Sequence, residues 1–137
     1  MDEAAPEAAR RVIRYVFDTG ALVAIERRKL RATRFLDLVA RGAARAFVPL
    51  PVVTEWWRGR TDAREAILGA VEIVASVEIA KAAGVALAAS KNIDATLTID
   101  AIVMATAAVR DPTVVTSEPS DFARLAPSFP GVAVLST

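Results

Sequence analysis

Five short apolar runs, each followed by turn formers and mostly separated by helical periodicity, decide which folds are open to this sequence. "RVIRYVFD" (11–18), "AFVPLP" (46–51), 71–75 within "AILGAVEIVAS", "TVVTS" (113–117) and "GVAVLS" (131–136) are rich in β-branched and aromatic residues. Runs this short with little polar alternation are buried on both faces, the pattern of parallel strands. Between them, Leu22, Ile25, Leu30, Phe35, Leu36 and Leu38 recur at largely helical spacing, predicting one helix from Ala21 to a stop at Arg41-Gly42. Pro51 suits the first turn of the helix "VVTEWWRGR", and 66–70 reads as a helix end or turn. "VEIAKAAGVALAASK" (77–91) reads as a helix, followed by a polar loop through Asn92, Asp94 and Thr98. "DAIVMATAAVR" (100–110) predicts a buried helix entered at Asp100 and stopped by Asp111-Pro112, and "DFARLA" (121–126) a short helical turn. Alternating strands and helices predict a parallel sheet covered on both faces.

A chain of 137 residues has the length of one domain and can bury roughly 65–70% of its unfolded surface. Residues 1–11 read as a frayed N-terminal extension and 12–137 as the domain. The apolar fraction is 54% but aromatics are 6%, so the core is aliphatic and Ala-rich, and the apolar excess points to a partner surface. No segment reaches the ~18–20 apolar residues of a membrane span. The acidic start "MDEAAPEAARR" is not a signal peptide, so a cytoplasmic protein is expected.

The chain has no Cys and no His. That excludes disulfides, thiol nucleophiles, Cys-containing zinc sites and a histidine base. Chemistry must then rest on carboxylates, hydroxyls, Lys or Arg, with Mg2+ or Mn2+ as the natural cofactor. Residues 1–64 carry 13 basic and 8 acidic side chains (+5) and residues 65–137 carry 4 and 8 (−4). A phosphate-rich ligand approaching a cation pocket would suit that asymmetry, as would helix faces that simply differ.

"VFDTGA" (16–21) resembles the catalytic tripeptide of aspartic proteases, but those are all-β, and this Asp-Thr-Gly leads into helix. "ILG" (67–69) is a chance echo of the same enzymes. In an open α/β sheet, ligands bind beyond the carboxyl ends of the strands, where four acids fall. Asp18 ends the first strand, Glu55 lies in the helix after the second, Asp100 is expected to begin a helix, and Asp121 follows the fourth strand with Glu118 nearby. Each alone reads as a turn, cap or solvated residue. Together they would repel one another unless a cation neutralised them.

The segments "YVFDTGALVAI", "VPLPVVTEWWRG", "TIDAIVMATA" and "VVTSEPSDFARL" resemble, as an ordered set running from about Val12 to the end, the four blocks of PIN domains, and specifically of VapC-type toxins. The resemblance implies a three-layer α/β/α sandwich with a central, mostly parallel sheet. It also implies a Mg2+- or Mn2+-dependent ribonuclease, usually homodimeric and restrained by a cognate antitoxin. Its acids map to Asp18, Glu55 and Asp100, with Asp121 or Glu118 as the fourth. Gly20 stands where such chains frequently carry Ser.

On this reading Asp18 and Asp100 hold the metal directly or through water, while Glu55 and Asp121 position water or a second ion. Thr116 and Glu118 are accessory candidates. Trp56, Trp57, Arg58 and Arg60 are candidate RNA contacts, although adjacent tryptophans ~100° apart on a helix cannot both face one way. One is expected in the core or an interface. A receiver domain would need paired acids after the first strand and a Lys after the last, and a haloacid-type phosphatase Asp-x-Asp; none is present. The alternative of another class is a catalytically silent PIN-like RNA-binding or interaction module.

Overall fold

The computed structural model describes residues 12–90, 95–110 and 112–137. The expected frayed extension, 1–11, lies outside the described residues, as do Asn92 and Asp94 of the expected polar loop and Asp111 of the expected helix stop.

Five strands, β1 (Ile13–Phe17), β2 (Ala44–Pro49), β3 (Glu72–Val74), β4 (Thr113–Thr116) and β5 (Val134–Ser136), form one sheet in the order β3-β2-β1-β4-β5. All four pairings are parallel, with Val16 of β1 opposite Phe47 on one side and Val114 on the other. Tyr15, Val16 and Phe17 are consecutive and buried, as a strand covered on both faces requires. The helices are α1 (Thr19–Glu26), α2 (Leu30–Ala40), α3 (Leu50–Trp56), α4 (Asp62–Ala70), α5 (Val77–Ala89) and α6 (Ala95–Arg110). Helix α6 packs on β1, β2, β4 and α5, while α1 packs on β1 and β4 and α2 on β2.

The predicted helix from Ala21 to Gly42 is instead two helices, broken at Arg27–Lys29. Arg28 takes a left-handed backbone (φ 56°), which turns the chain so that Ala21, Leu22, Ala24 and Ile25 of α1 and Ala32 of α2 can all be buried. The stop at Gly42 is as expected: φ is 75°, and the Gly42 and Ala43 N–H groups donate to Val39 and Leu38 at 3.0 and 2.9 Å. This is a Schellman closure, which favours glycine. The prediction that a helix begins at Asp100 is also corrected, because α6 already runs from Ala95. Leu97, Ala101, Met104 and Ala105 are all at most 1% exposed and continue one apolar stripe, so burial extends the helix through the polar threonines. Residues 66–70, expected only as a helix end or turn, are the second half of the complete helix α4, which starts at Asp62 with Thr61 capping the Arg64 N–H at 3.1 Å. "DFARLA" runs instead from the end of one 3-10 turn, Pro119–Phe122, anchored by buried Phe122, to the start of a second, Ala126–Ser128.

No helix among the described residues is long and apolar enough to cross a membrane.

Candidate active site

The sheet order reverses between β1 and β4, and the crevice at such a switch point is where open α/β sheets place ligands. Asp18 leaves β1 on one side of that crevice and Thr116 ends β4 on the other. A pocket of about 210 Å3 opens there, lined by Asp18, Glu55, Asp100, Glu118 and Asp121 together with the hydroxyls of Thr19, Thr116 and Ser117. Among the described residues, no basic side chain lines it.

Asp18 is the buried member, 9% exposed. It is the N-cap of α1: its Oδ1 accepts the Ala21 N–H at 2.8 Å, closing one of the helix's otherwise unsatisfied donors. Burial pushes its carboxyl above the ordinary value of 3.8, and the charges of Glu55 and Asp121 push it the same way. Hydrogen bonds from the Thr116 side chain and the Ala21 amide oppose the rise. Thr116, fully buried, also accepts the Glu118 N–H at 3.0 Å, so its hydroxyl links the two walls.

The remaining acids differ in placement. Glu55 is exposed near the end of α3, where the Thr19 hydroxyl donates to its Oε1. Asp100, half-buried, projects from within α6 rather than from its start. Asp121 sits on the 3-10 turn after β4. A Cβ on Gly20 would collide with the Ser117 Oγ and lie 3.5 Å from Asp18 Oδ1. Glycine here therefore leaves room for the Ser117 hydroxyl in the pocket.

Every acid expected from the sequence, and Thr116, thus meets at one pocket, whereas the four candidate RNA contacts do not line it. Trp56 as an RNA contact is withdrawn: it is 3% exposed, with its indole N–H bonded to Glu26 Oε1 at 3.0 Å. Trp57 takes the outward place, half-buried and edge-on to Trp56 at 5.8 Å. Arg58 and Arg60 are exposed in the loop beyond, Arg60 paired with Asp62 at 3.3 Å. Thr19, Ser117 and Ile99 were not singled out from sequence, although Thr19 and Ser117 adjoin Asp18 and Thr116 in the chain.

Among the described residues, no three carboxylates converge closely enough to enclose an ion by themselves. The donor set nevertheless fits a hard divalent cation that keeps part of its water shell: carboxylate and hydroxyl oxygens only, with acid repulsion to relieve. Without metal, folded Asp18 keeps its proton to higher pH than the unfolded chain does. Its contribution to stability is complete below about pH 3.8 and is lost as pH rises through the higher folded value. Urea unfolding in chelator at pH 4, 5.5 and 7 should show the wild type losing ground to Asp18→Asn as pH rises. A difference that moves the other way contradicts the assigned burial of this carboxyl.

These features define a single parallel α/β unit with an acidic pocket at its topological switch point. The chain belongs to the PIN-domain family, whose model matches residues 15–127. A search of curated proteins gave no match. Similar solved structures include VapBC2 from Rickettsia felis bound to a DNA fragment from its promoter, at 18% identity and a TM-score of 0.69, covering 91% of this chain and 99% of that one. DNA-bound VapBC from Salmonella typhimurium is similar at 16% identity and a TM-score of 0.67, covering 90% and 98%. A toxin-antitoxin complex from Klebsiella pneumoniae is similar at 21% identity and a TM-score of 0.61, covering 87% and 95%. At these identities the likeness is one of fold.

Proposed function

We propose that this chain is a Mg2+- or Mn2+-dependent endoribonuclease, a growth-inhibiting toxin of the cytoplasm that forms a homodimer and is neutralised by a cognate antitoxin. The observation that carries the reading is five carboxylates around one pocket, with no basic side chain among the described residues of its lining. Membership of the PIN family supports the nuclease chemistry. The VapBC and toxin-antitoxin complexes among the similar folds support the antitoxin partner.

Asp18 and Asp100 would hold the ion, directly or through water. When bound, it would supply charge neutralisation at the phosphate and a lowered pKa for water. The chain's own groups supply the rest. The Ala21 N–H and Thr116 hydroxyl fix the Asp18 carboxylate. With Glu55 Oε1 engaged by Thr19, Oε2 is the oxygen left to accept a proton from the attacking water. No histidine exists to take that part. Trp57, Arg58 and Arg60 lie just beyond Glu55 in the chain and are proposed to meet the RNA, the indole by base stacking worth ~1–3 kcal/mol and the guanidiniums at phosphates.

Incubating purified protein with mixed RNA in Mg2+, in Mn2+ and in chelator tests the reading. Cleavage that requires metal and stops in chelator is expected; RNA left intact under all three conditions supports the silent module instead. Asp121 is the favoured fourth acid because its charge reaches Asp18, whereas Glu118 bonds Thr116 through its backbone. Under limiting Mn2+, Asp121→Asn should lose more activity than Glu118→Gln, and the reverse order would exchange their roles.

A further inference from the structure

Glu55 and Trp56 are neighbours in sequence, yet their side chains are held at opposite ends of α1. Glu55 bonds Thr19, the first residue of that helix, and Trp56 bonds Glu26, the last. Eight helical residues separate those ends by ~10 Å along the axis, so the final turn of α3 straddles α1 with one arm toward each end. Rotating that turn enough to carry Glu55 off Thr19 would also draw Trp56 off Glu26. The far anchor is built to resist this. Arg64 of α4 grips both oxygens of Glu26, Nε to Oε1 and Nη2 to Oε2, each at 3.0 Å. Its Nη1 donates to the Gly59 carbonyl at 2.9 Å, tying down the loop that leaves α3. Both side chains are largely covered, Arg64 17% and Glu26 24% exposed, and bidentate pairing of this kind holds direction as well as charge. The Arg64 hydrogen bonds hold the Glu26 carboxyl below its ordinary range, so it is an anion at neutral pH.

We propose that Glu26, Arg64 and the Trp56 indole N–H form a positioning device for Glu55, setting the rotation of the last turn of α3 from the end of α1 remote from the pocket. The inference rests on the nuclease reading for Glu55's chemical role, but the mechanical coupling can be measured separately. Trp56→Phe keeps the buried ring and removes the N–H; Glu26→Gln keeps an oxygen for Trp56 and removes the charge that holds Arg64. Each should lower kcat for RNA cleavage in Mn2+ by ~10-fold, in the range found for partners one step removed from a metal site, with KM unchanged. On a Glu55→Gln background the same changes should cost nothing further, because their effect passes through Glu55. An equal loss on both backgrounds makes the network a general support of the fold and overturns the proposal, as does no loss in the wild-type background.

Amide exchange gives a readout that does not need activity. The Trp57 N–H, bonded to the Val53 carbonyl at 2.8 Å, should exchange faster in both variants while α6 amides keep wild-type rates. Unaltered exchange at the end of α3 overturns the coupling whatever the activity shows. A wild type that fails to cut RNA in Mn2+ overturns the nuclease reading, and with it Glu55's role, before any variant is made.

Discussion

Replacing Asp18 with Asn should cost RNA cleavage more than the ~100-fold upper range for loss of an outer-shell partner of a metal site, and it should leave the fold intact. The two halves of that expectation have separate causes. Asn is as good an N-cap as Asp, so its side-chain oxygen can still take the Ala21 N–H that Asp18 Oδ1 takes at 2.8 Å. What disappears is the one buried acid among the described residues of the pocket, 9% exposed and flanked by Glu55 and Asp121, whose charges already oppose its ionisation. In chelator the neutral side chain relieves that repulsion, so the variant should unfold no more easily than the wild type near pH 7. Cleavage rates in Mn2+ beside thermal melts of both proteins check this. Wild-type cleavage by the variant would remove Asp18 from the site.

Phe122→Ala should destabilise the chain by about 3–5 kcal/mol, the usual cost of deleting a fully buried aromatic side chain. Phe122 is 2% exposed and belongs to the 3-10 turn that also presents Asp121. That turn contacts α6 and β5, and so is seated by the core rather than by its own hydrogen bonds alone. Domains of this kind are stable by only ~5–15 kcal/mol, so the loss should be plain in urea unfolding. Activity should fall further than the unfolded fraction explains, since the turn that aims Asp121 loses its anchor. Phe122→Leu, which refills much of the volume, should recover most of both. A change below about 1 kcal/mol in Phe122→Ala would mean that the turn is held by something other than this ring.

Local chemistry made part of this structure readable in advance. Fully apolar strands such as Val16–Phe17 announce a doubly covered sheet, an Asp at a strand's end followed by Gly announces a turn into helix, and Gly42 announces a helix stop. Strand-end placement already gathers the acids at one edge of the sheet, and the resemblance to PIN domains adds a shared metal-site role for them. What was missed depended on contacts distant in sequence or on the backbone of an ordinary residue. Nothing in "ERRK" marks Arg28 as left-handed, because charged residues suit helices and the apolar spacing continues across it. Thr96 and Thr98 masked the start of α6, which burial of Leu97 against the rest of the molecule decides. Helical geometry required one tryptophan to face in and one out, and the inner place falls to Trp56, which packs in the core and bonds Glu26, itself held by Arg64 from 38 residues away. Ser117 enters the pocket because Gly20 lacks a side chain, a complementarity between two strand ends that neither segment displays alone.

The central claim, that the acidic pocket is a divalent-cation site organised on Asp18, is tested most directly by calorimetric titration of Mn2+ into the wild type and Asp18→Asn near pH 7. Binding by the wild type is predicted, with affinity reduced by at least ~10-fold in the variant, since removing a direct ligand should cost no less than removing a supporting one. Equal affinities in the two proteins, or no binding by the wild type, would contradict it.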